Sequence, residues 1–243
     1  MIQRFIPIAL SALLLAAAGV LVGFAMKQES NATYIGLDVD VEEIKGMFFV
    51  DAAGVRDAIL QHDSIDGSWV RSVSLKDVTS WVRSIPAVNN VDVYPGLDRF
   101  LHVRVSQKEP VARLHTALSE PDVYIDTNGE ALPLSPYFTA RVPVIHAPTI
   151  GQAHQAFALI QATCKHPIWS VFIDQVNVVN NGDLEIIPRI GGARIALGDT
   201  ANLDSKLNNL LTFYRAQIRR GNLNDYKRIN LAFEGQVLAE RYY

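Results

Sequence analysis

The chain has 243 residues, 49% hydrophobic and 19% charged, enough for one large or two small folded domains and incompatible with wholesale disorder. Lys plus Arg numbers 22 against 25 for Asp plus Glu, a net charge of −3, so the overall balance carries no nucleic-acid footprint. The single cysteine, Cys164, excludes an intramolecular disulfide and any four-cysteine zinc site.

From Phe5 to Met26 no residue is charged, and the run is bounded by Arg4 on one side and by Lys27 and Glu29 on the other. At about 1.5 Å per residue it reaches roughly 30 Å, the thickness of a bilayer's hydrocarbon core. A transmembrane helix is therefore expected over 5–26, with a cytoplasmic tail over 1–4 and a polar linker over 27–33. The alternative is a cleaved signal peptide with Ala16-Ala17-Ala18 at the cleavage site. A signal core usually stops after about 7–15 apolar residues, whereas Val20 to Phe24 continue the run. The charge of Arg4 places the N-terminus in the cytoplasm and the rest outside. Gly19 and Gly23 form a GxxxG pair, a weak signal for contact with a second membrane helix, the other reading being lipid-facing filler.

Tyr34 to Val41 alternates apolar and polar residues, with Ile35, Leu37, Val39 and Val41 on one face, as a half-buried strand does. Asp51 caps a helix carrying Val55, Ala58, Ile59 and Leu60. Ser74 caps a second, carrying Leu75, Val78, Trp81 and Val82 and stopped by Pro86. Val91 to Tyr94 and Leu101 to Val105 flank the turn Pro95-Gly96-Leu97-Asp98, which predicts a hairpin. Strand, helix, helix, strand, strand describes a small α+β unit, two helices on one face of a three-stranded sheet.

Past Pro110 the pattern changes. Strands are expected at Val111 to Leu114, Val123 to Ile125 (turning at Asp126-Thr127-Asn128-Gly129) and Val142 to Ile145. A helix is expected over Gly151 to Lys165, with Ala153, Ala156, Phe157, Ile160 and Cys164 on one stripe. A meander follows through Val176 to Val179, Leu184 to Ile187 and Ala193 to Leu197. Leu203, Leu207, Leu210, Leu211, Tyr214 and Ile218 mark a long amphipathic helix that ends at Arg219, Arg220 and Gly221. A final hairpin joins Arg228 to Phe233 with Gln236 to Arg241 through Glu234-Gly235.

No residue pattern points to catalysis, a metal or a cofactor. The six histidines form no H-x-x-x-H or H-E-x-x-H pair, and Cys164 belongs to an apolar helix stripe, as an inert thiol does. Asp126 to Glu130 lacks the ligand spacing of a calcium loop and reads as a turn. No glycine-rich phosphate cradle or G-x-S-x-G elbow occurs.

Charge is uneven along the chain. Residues 38–66 hold eight acids against two bases, and residues 205–228 hold six bases against one acid. These are either ordinary solvated faces or a basic docking surface at one end. The last strand has no later segment to pair with, so unless an earlier strand covers it, it is expected either to be blunted by Glu240 and Arg241 or to recruit a partner strand by β-augmentation.

Six stretches stand out in chain order: Phe48-Phe49-Val50-Asp51, Ile85-Pro86-Ala87-Val88, Leu101-His102-Val103-Arg104-Val105-Ser106-Gln107-Lys108-Glu109-Pro110-Val111-Ala112, Tyr124-Ile125-Asp126-Thr127-Asn128-Gly129, Lys206 to Tyr214, and Tyr226 to Val237. Together they resemble the bacterial cell-division family FtsQ/DivIB, in the version found in Bacteroidetes-like bacteria. Each motif alone is weak, but their order over some 200 residues is specific. Departures are Gln107-Lys108 in place of the usual acidic-basic pair, and Phe233 where tyrosine is frequent.

The resemblance implies a POTRA domain over 34–110 and a C-terminal mixed β-sheet domain with packed helices over 111–243, on the outer face of the inner membrane at the septum. It implies a non-enzymatic scaffold that binds the bitopic proteins FtsB and FtsL and, through them, bears on septal peptidoglycan synthases. In the family the last strands receive a strand from FtsB. By position the contacts are Arg228, Asn230, Phe233, Gln236, Val237, Leu238, Ala239, Glu240, Arg241 and Tyr242, with the basic helix from Lys206 to Arg220 nearby. No nucleic acid, small-molecule substrate or cofactor is implied. Two other readings are a POTRA-type chaperone for secreted or outer-membrane polypeptides and an envelope hydrolase with a dispersed site.

Overall fold

The computed structural model describes residues 13–21, 33–44, 46–68, 70, 72–116, 121–135, 138–179 and 182–242. Of the apolar run expected to cross a membrane, residues 13–21 form an exposed helix, α1. Residues 5–12 and 22–26 lie outside the described residues, and Gly23 of the GxxxG pair with them. Among the described residues no helix is long and apolar enough to cross a membrane. Gly19 lies in α1 with nothing within 4 Å of where a Cβ would stand. The chain divides into two compact units, 1–107 and 108–243.

In the first unit the elements run β1 (Gly36–Val41), α2 (Ala52–Leu60), α3 (Leu75–Arg83), β2 (Val88–Pro95) and β3 (Phe100–Gln107). Both helices start where their caps require. Asp51 Oδ1 accepts from Gly54 N at 3.0 Å and Ser74 Oγ from Asp77 N at 3.3 Å, each satisfying one of the orphan donors of a first turn. The sheet order is β1-β3-β2, with β1 parallel and β2 antiparallel to the central β3. Leu101, Val103 and Val105 of β3 turn inward to meet Val55, Ile59, Val78 and Val82 of the helices. His102 and Arg104 occupy the alternate positions, as a period of two demands.

One expectation fails at the start of this unit. The alternation predicts Ile35 on the buried face, yet it is 48% exposed while Tyr34 is 1% exposed. Strand pairing begins only at Gly36, and the backbones of Tyr34 and Ile35 are bonded to loops instead, so the alternation does not extend back to them. Gln107, a departure from the family pattern, has a structural role. Its Oε1 accepts from Phe49 N at 2.9 Å and Val50 N at 3.0 Å, and its Nε2 donates to the Glu42 carbonyl at 3.2 Å. An ionised carboxylate could accept but not donate.

In the second unit the elements are β4 (Pro110–Thr116), β5 (Val123–Asp126), β6 (Ala131–Pro133), β7 (Val144–Ala147), α4 (His154–Thr163), α5 (Trp169–Phe172), β8 (Ile173–Val178), β9 (Leu184–Pro188), β10 (Arg194–Gly198), α6 (Leu203–Arg220), β11 (Tyr226–Asn230) and β12 (Leu238–Arg241). Nine strands form one sheet in the order β12-β11-β10-β9-β8-β7-β4-β5-β6. Its pairings are antiparallel except β4 with β7, β7 with β8 and β10 with β11.

The register places one apolar row across this sheet. Leu114, Ile145, Val176, Ile186, Ile195 and Ile229 stand opposite one another in turn, and the row ends on β12 at Ala239. Ala156, Leu159 and Ile160 of α4 and Leu207, Leu210 and Tyr214 of α6 share its core. On the opposite face the neighbouring row reads His115, His146, Asn177, Glu185, Ala196, Asn230 and Leu238.

Three details differ from the periodicity. The helix expected over 151–165 is split into a 3-10 turn, Ile150–Ala153, and α4. The four-residue α5 carries no sequence period of its own and is held by His166, whose Nδ1 accepts from the N–H groups of Ile168 and Trp169 at 3.2 and 3.3 Å. On α6, Ile218 is exposed and Gln217 is buried, because a partner described below satisfies the amide. The Asp126 turn closes as expected: its Oδ1 accepts from Asn128 N and Glu130 N, both at 2.8 Å, with Gly129 at φ 85°.

Candidate partner-binding edge

The final hairpin is shorter than the alternation suggested. Arg228 to Phe233 was expected as one strand, but β11 stops at Asn230, whose Oδ1 accepts from Ala232 N at 2.9 Å and turns the chain. Phe233 and Gln236 therefore lie in the connection, closed by Gln236 N donating to the Phe233 carbonyl at 3.3 Å, and Val237 precedes β12. A side chain that offers the backbone a local bond competes with the ladder.

The sheet order separates the two expected contact strands. β11 lies between β10 and β12, so its backbone groups are committed on both sides, and Arg228 and Asn230 offer side chains only. β12 ends the sheet. All four of its residues, Leu238, Ala239, Glu240 and Arg241, are exposed, as is Tyr242 after it.

One hydrogen bond sets the phase of this edge. Tyr242 N donates to the Asp225 carbonyl at 2.9 Å, so Tyr242 faces β11. Because the N–H and C=O of a strand residue point to the same side and alternate along the chain, Glu240 and Leu238 also face β11. Ala239 and Arg241 direct their N–H and C=O groups away from the sheet. Their side chains lie on the helix-covered face, Ala239 opposite Ile229 and Arg241 opposite Tyr226, while Leu238 and Glu240 share the other face with Asn230 and Arg228.

β12 is tied back through Tyr226. The Arg241 guanidinium carbon sits 5.2 Å from the centre of the Tyr226 ring, within cation–π range, and its Nη2 donates to Tyr226 Oη at 3.3 Å. Tyr226 Oη donates in turn to Gln217 Oε1 of α6 at 3.2 Å. That chain of bonds accounts for the buried glutamine and raises the Arg241 pKa further. Phe213 of α6 packs edge-on against the Tyr226 ring at 5.1 Å, and Phe172 against Tyr214 at 4.9 Å. Burial pushes the Tyr214 hydroxyl pKa well up. Phe213 and Tyr226 fall within the family-like stretches of the sequence, but no sequence pattern ties them to Gln217; the tyrosine that opens β11 is the one signal that could have marked the network.

Two concavities adjoin the edge. A groove of about 610 Å³ is lined by Arg228, Asn230, Val237, Leu238, Ala239 and Glu240. A cavity of about 210 Å³ lies between the start of α6 and the connection, with Asn202, Ser205, Lys206, Phe233 and Gln236 among its walls. Phe233 is 54% exposed. Lys206 does not contribute a free charge to the basic helix: its Nζ donates to Asp199 Oδ1 at 2.8 Å and to the Asp199 carbonyl at 2.9 Å, and that bond holds the Asp199 carboxyl below its usual range. Arg215, Arg219 and Arg220 are exposed. Among the described residues no group of three or more His, Cys, Asp or Glu is placed to hold a metal ion.

A family model described as FtsQ/DivIB, C-terminal related, matches residues 109–240, more than half of the chain. The chain belongs to this family. It matches no curated protein. FtsQ/DivIB is a family of division scaffold proteins, which assigns the chain a cell-division role. The FtsQ/DivIB match begins one residue before β4 and ends inside β12, so it takes in every expected partner-binding residue except Arg241 and Tyr242.

Proposed function

We propose that this chain is a membrane-anchored scaffold of the division machinery that accepts a partner strand on β12. In this reading residues 5–26 cross the inner membrane, the first unit is a POTRA domain outside it, and the partners are bitopic proteins of the FtsB and FtsL kind. Those partners link the chain to septal peptidoglycan synthesis.

The observation that carries the reading is the outward pair Ala239 and Arg241 at the end of the nine-stranded sheet. Two residues presenting N–H and C=O offer four main-chain hydrogen bonds to an added strand, and alternate side chains then decide which strand fits. The residue of the partner opposite Ala239 would extend the apolar row of the sheet beneath α6, so a large apolar side chain is favoured there. The residue opposite Glu240 would lie on the other face, beside that carboxylate, where a basic side chain is favoured.

A pull-down of the division partners by the exported part of the chain, compared with the same protein ending at Gly235, tests the site. Loss of capture is expected at a temperature below the melting transition of the truncated form, which the missing ladder to β11 lowers. Equal capture by both forms rejects β12 as the docking strand.

A further inference from the structure

The point where the chain enters the first unit is clamped between two loops. Tyr34 N donates to the Ser68 carbonyl at 3.0 Å, the Tyr34 carbonyl accepts from Gly67 N at 2.9 Å, and Ile35 N donates to the Arg99 carbonyl at 2.9 Å. The Tyr34 ring is fully enclosed in the core. Side chain and backbone together hold this point in a fixed place.

Arg99 belongs to the tip of the β2–β3 hairpin. Gly96 N donates to the Phe100 carbonyl at 2.9 Å and Arg99 N to the Gly96 carbonyl at 3.2 Å, with Arg99 in the left-handed region at φ 66°. Leu97, at the tip, is fully exposed, and Ile35 beside Arg99 is half exposed. Leu97 is two residues from Arg99, so it stands within about 7 Å of the backbone that receives the incoming chain. A lone exposed leucine is ordinary on a protein surface; its place beside the incoming chain is not.

Upstream, residues 27–33 alone separate this point from the apolar run that ends at Met26. Even fully extended they reach at most roughly 25 Å. Such a leash keeps the hairpin tip at high local concentration near whatever surface anchors the run, so burial of one leucine side chain suffices to bias its position. The charges of the tip are compatible with a lipid surface. Arg99 is exposed, and the Asp98 carboxylate is occupied by Phe100 N at 3.1 Å and His102 Nε2 at 3.2 Å.

Resting on the reading of residues 5–26 as a membrane span, we propose that the β2–β3 tip is a second, peripheral membrane contact. Leu97, with Ile35 beside it, seats at the boundary between headgroups and acyl chains of the bilayer that holds the span. The contact gives the first unit one preferred orientation on the membrane, as an interfacial apolar residue backed by a cation does.

The test uses the full chain with Cys164→Ala, reconstituted in bilayer discs of phosphatidylethanolamine and phosphatidylglycerol. It carries an environment-sensitive dye on Leu97→Cys or on Asn89→Cys. Asn89 is exposed and lies toward the other end of β2, about 20 Å from Pro95 at ~3.3 Å per residue. A blue shift and quenching by acyl-chain spin labels are expected for the dye at 97 and not at 89. A dye at 97 as wet as that at 89 overturns the proposal. Alkaline extraction separates the two readings: a chain that stays with the bilayer while the dye at 97 is wet refutes the tip contact alone, and a chain that is released refutes the span as well. Hydrogen exchange without any dye removes the influence of the label. The amides of 96–99 are expected to exchange more slowly on the bilayer in the native sequence than in Leu97→Asp, and equal rates overturn the proposal.

Discussion

The edge strands β1 and β12 terminate sheets of the same chain in different ways. β1 pairs over six residues with β3 and is laced to it through side chains: Asp38 Oδ2 accepts from His102 Nδ1 at 2.8 Å, and Arg104 Nε lies 3.5 Å from Asp40 Oδ2. β12 has four exposed residues, a ladder to β11, Arg241 lying over Tyr226 and bonded to it, and a longer exposed pair of Glu240 Oε1 with Lys227 Nζ at 3.8 Å. Charged side chains on an edge discourage a further strand, and β1 carries two carboxylates, Asp38 and Asp40, where β12 carries one, Glu240. A short edge whose backbone phase leaves two residues facing outward, at the end of an apolar row, is suited to receive one. The comparison teaches that an edge is read by what its side chains already do as well as by its free backbone.

The largest effect should come from removing one outward donor. Ala239→Pro deletes an N–H that points away from the sheet, and partner affinity is expected to fall by about 1.5–3 kcal/mol, tenfold or more, with folding retained. Glu240→Pro deletes an inward donor and should instead cost stability. Binding titrations alongside melting curves separate the two, and matched behaviour of both variants would erase the proposed phase. Next in size, Tyr226→Phe leaves the buried Gln217 without its donor and Arg241 without its acceptor. A loss of about 1–3 kcal/mol in the second unit is expected by urea unfolding.

A pH series sharpens the contrast through two histidines. Burial alone would lower the His102 pKa, but the bonds to Asp98 and Asp38 outweigh it and the value is raised. The β1–β3 lacing is therefore expected to be fully present below about pH 6.5 and to weaken as pH rises through the raised pKa. His146, in the second sheet, has the opposite sign: burial, then the neighbouring His115, lowers its pKa. Its contribution is present above about pH 6.5 and is lost as pH falls through the lowered value. Amide exchange at β3 and β7 across that range should move in opposite directions. The smallest effect is expected for Arg104→Ala, about 0–0.5 kcal/mol by thermal melting, because its pair with Asp40 is exposed.

Local signals were legible where one or two residues decide the outcome. The caps at Asp51 and Ser74, the turn at Asp126 to Gly129 and the stop at Gly221 stand where the residue types require them, as each is a short-range hydrogen bond or a positive φ. Ile35 and Ile218 were misplaced because a period says which residues share a face but not where the pairing begins or what satisfies a neighbour such as Gln217. The end of β11 was missed because Asn230 competes with the ladder through its own side chain, which apolar alternation does not report.

What the amino-acid order determined by itself is most of the helices and strands, though not the short β6 and α5, together with the family and the apolar run near the N-terminus, since these depend on composition, spacing and motif. The tertiary structure decided that β11 is interior and β12 is terminal. It also set the inward phase of Tyr242 and the outward phase of Ala239 and Arg241. Strand neighbours and hydrogen-bond phase arise from pairing between segments distant in the chain, and no local pattern encodes which side of a strand is already taken.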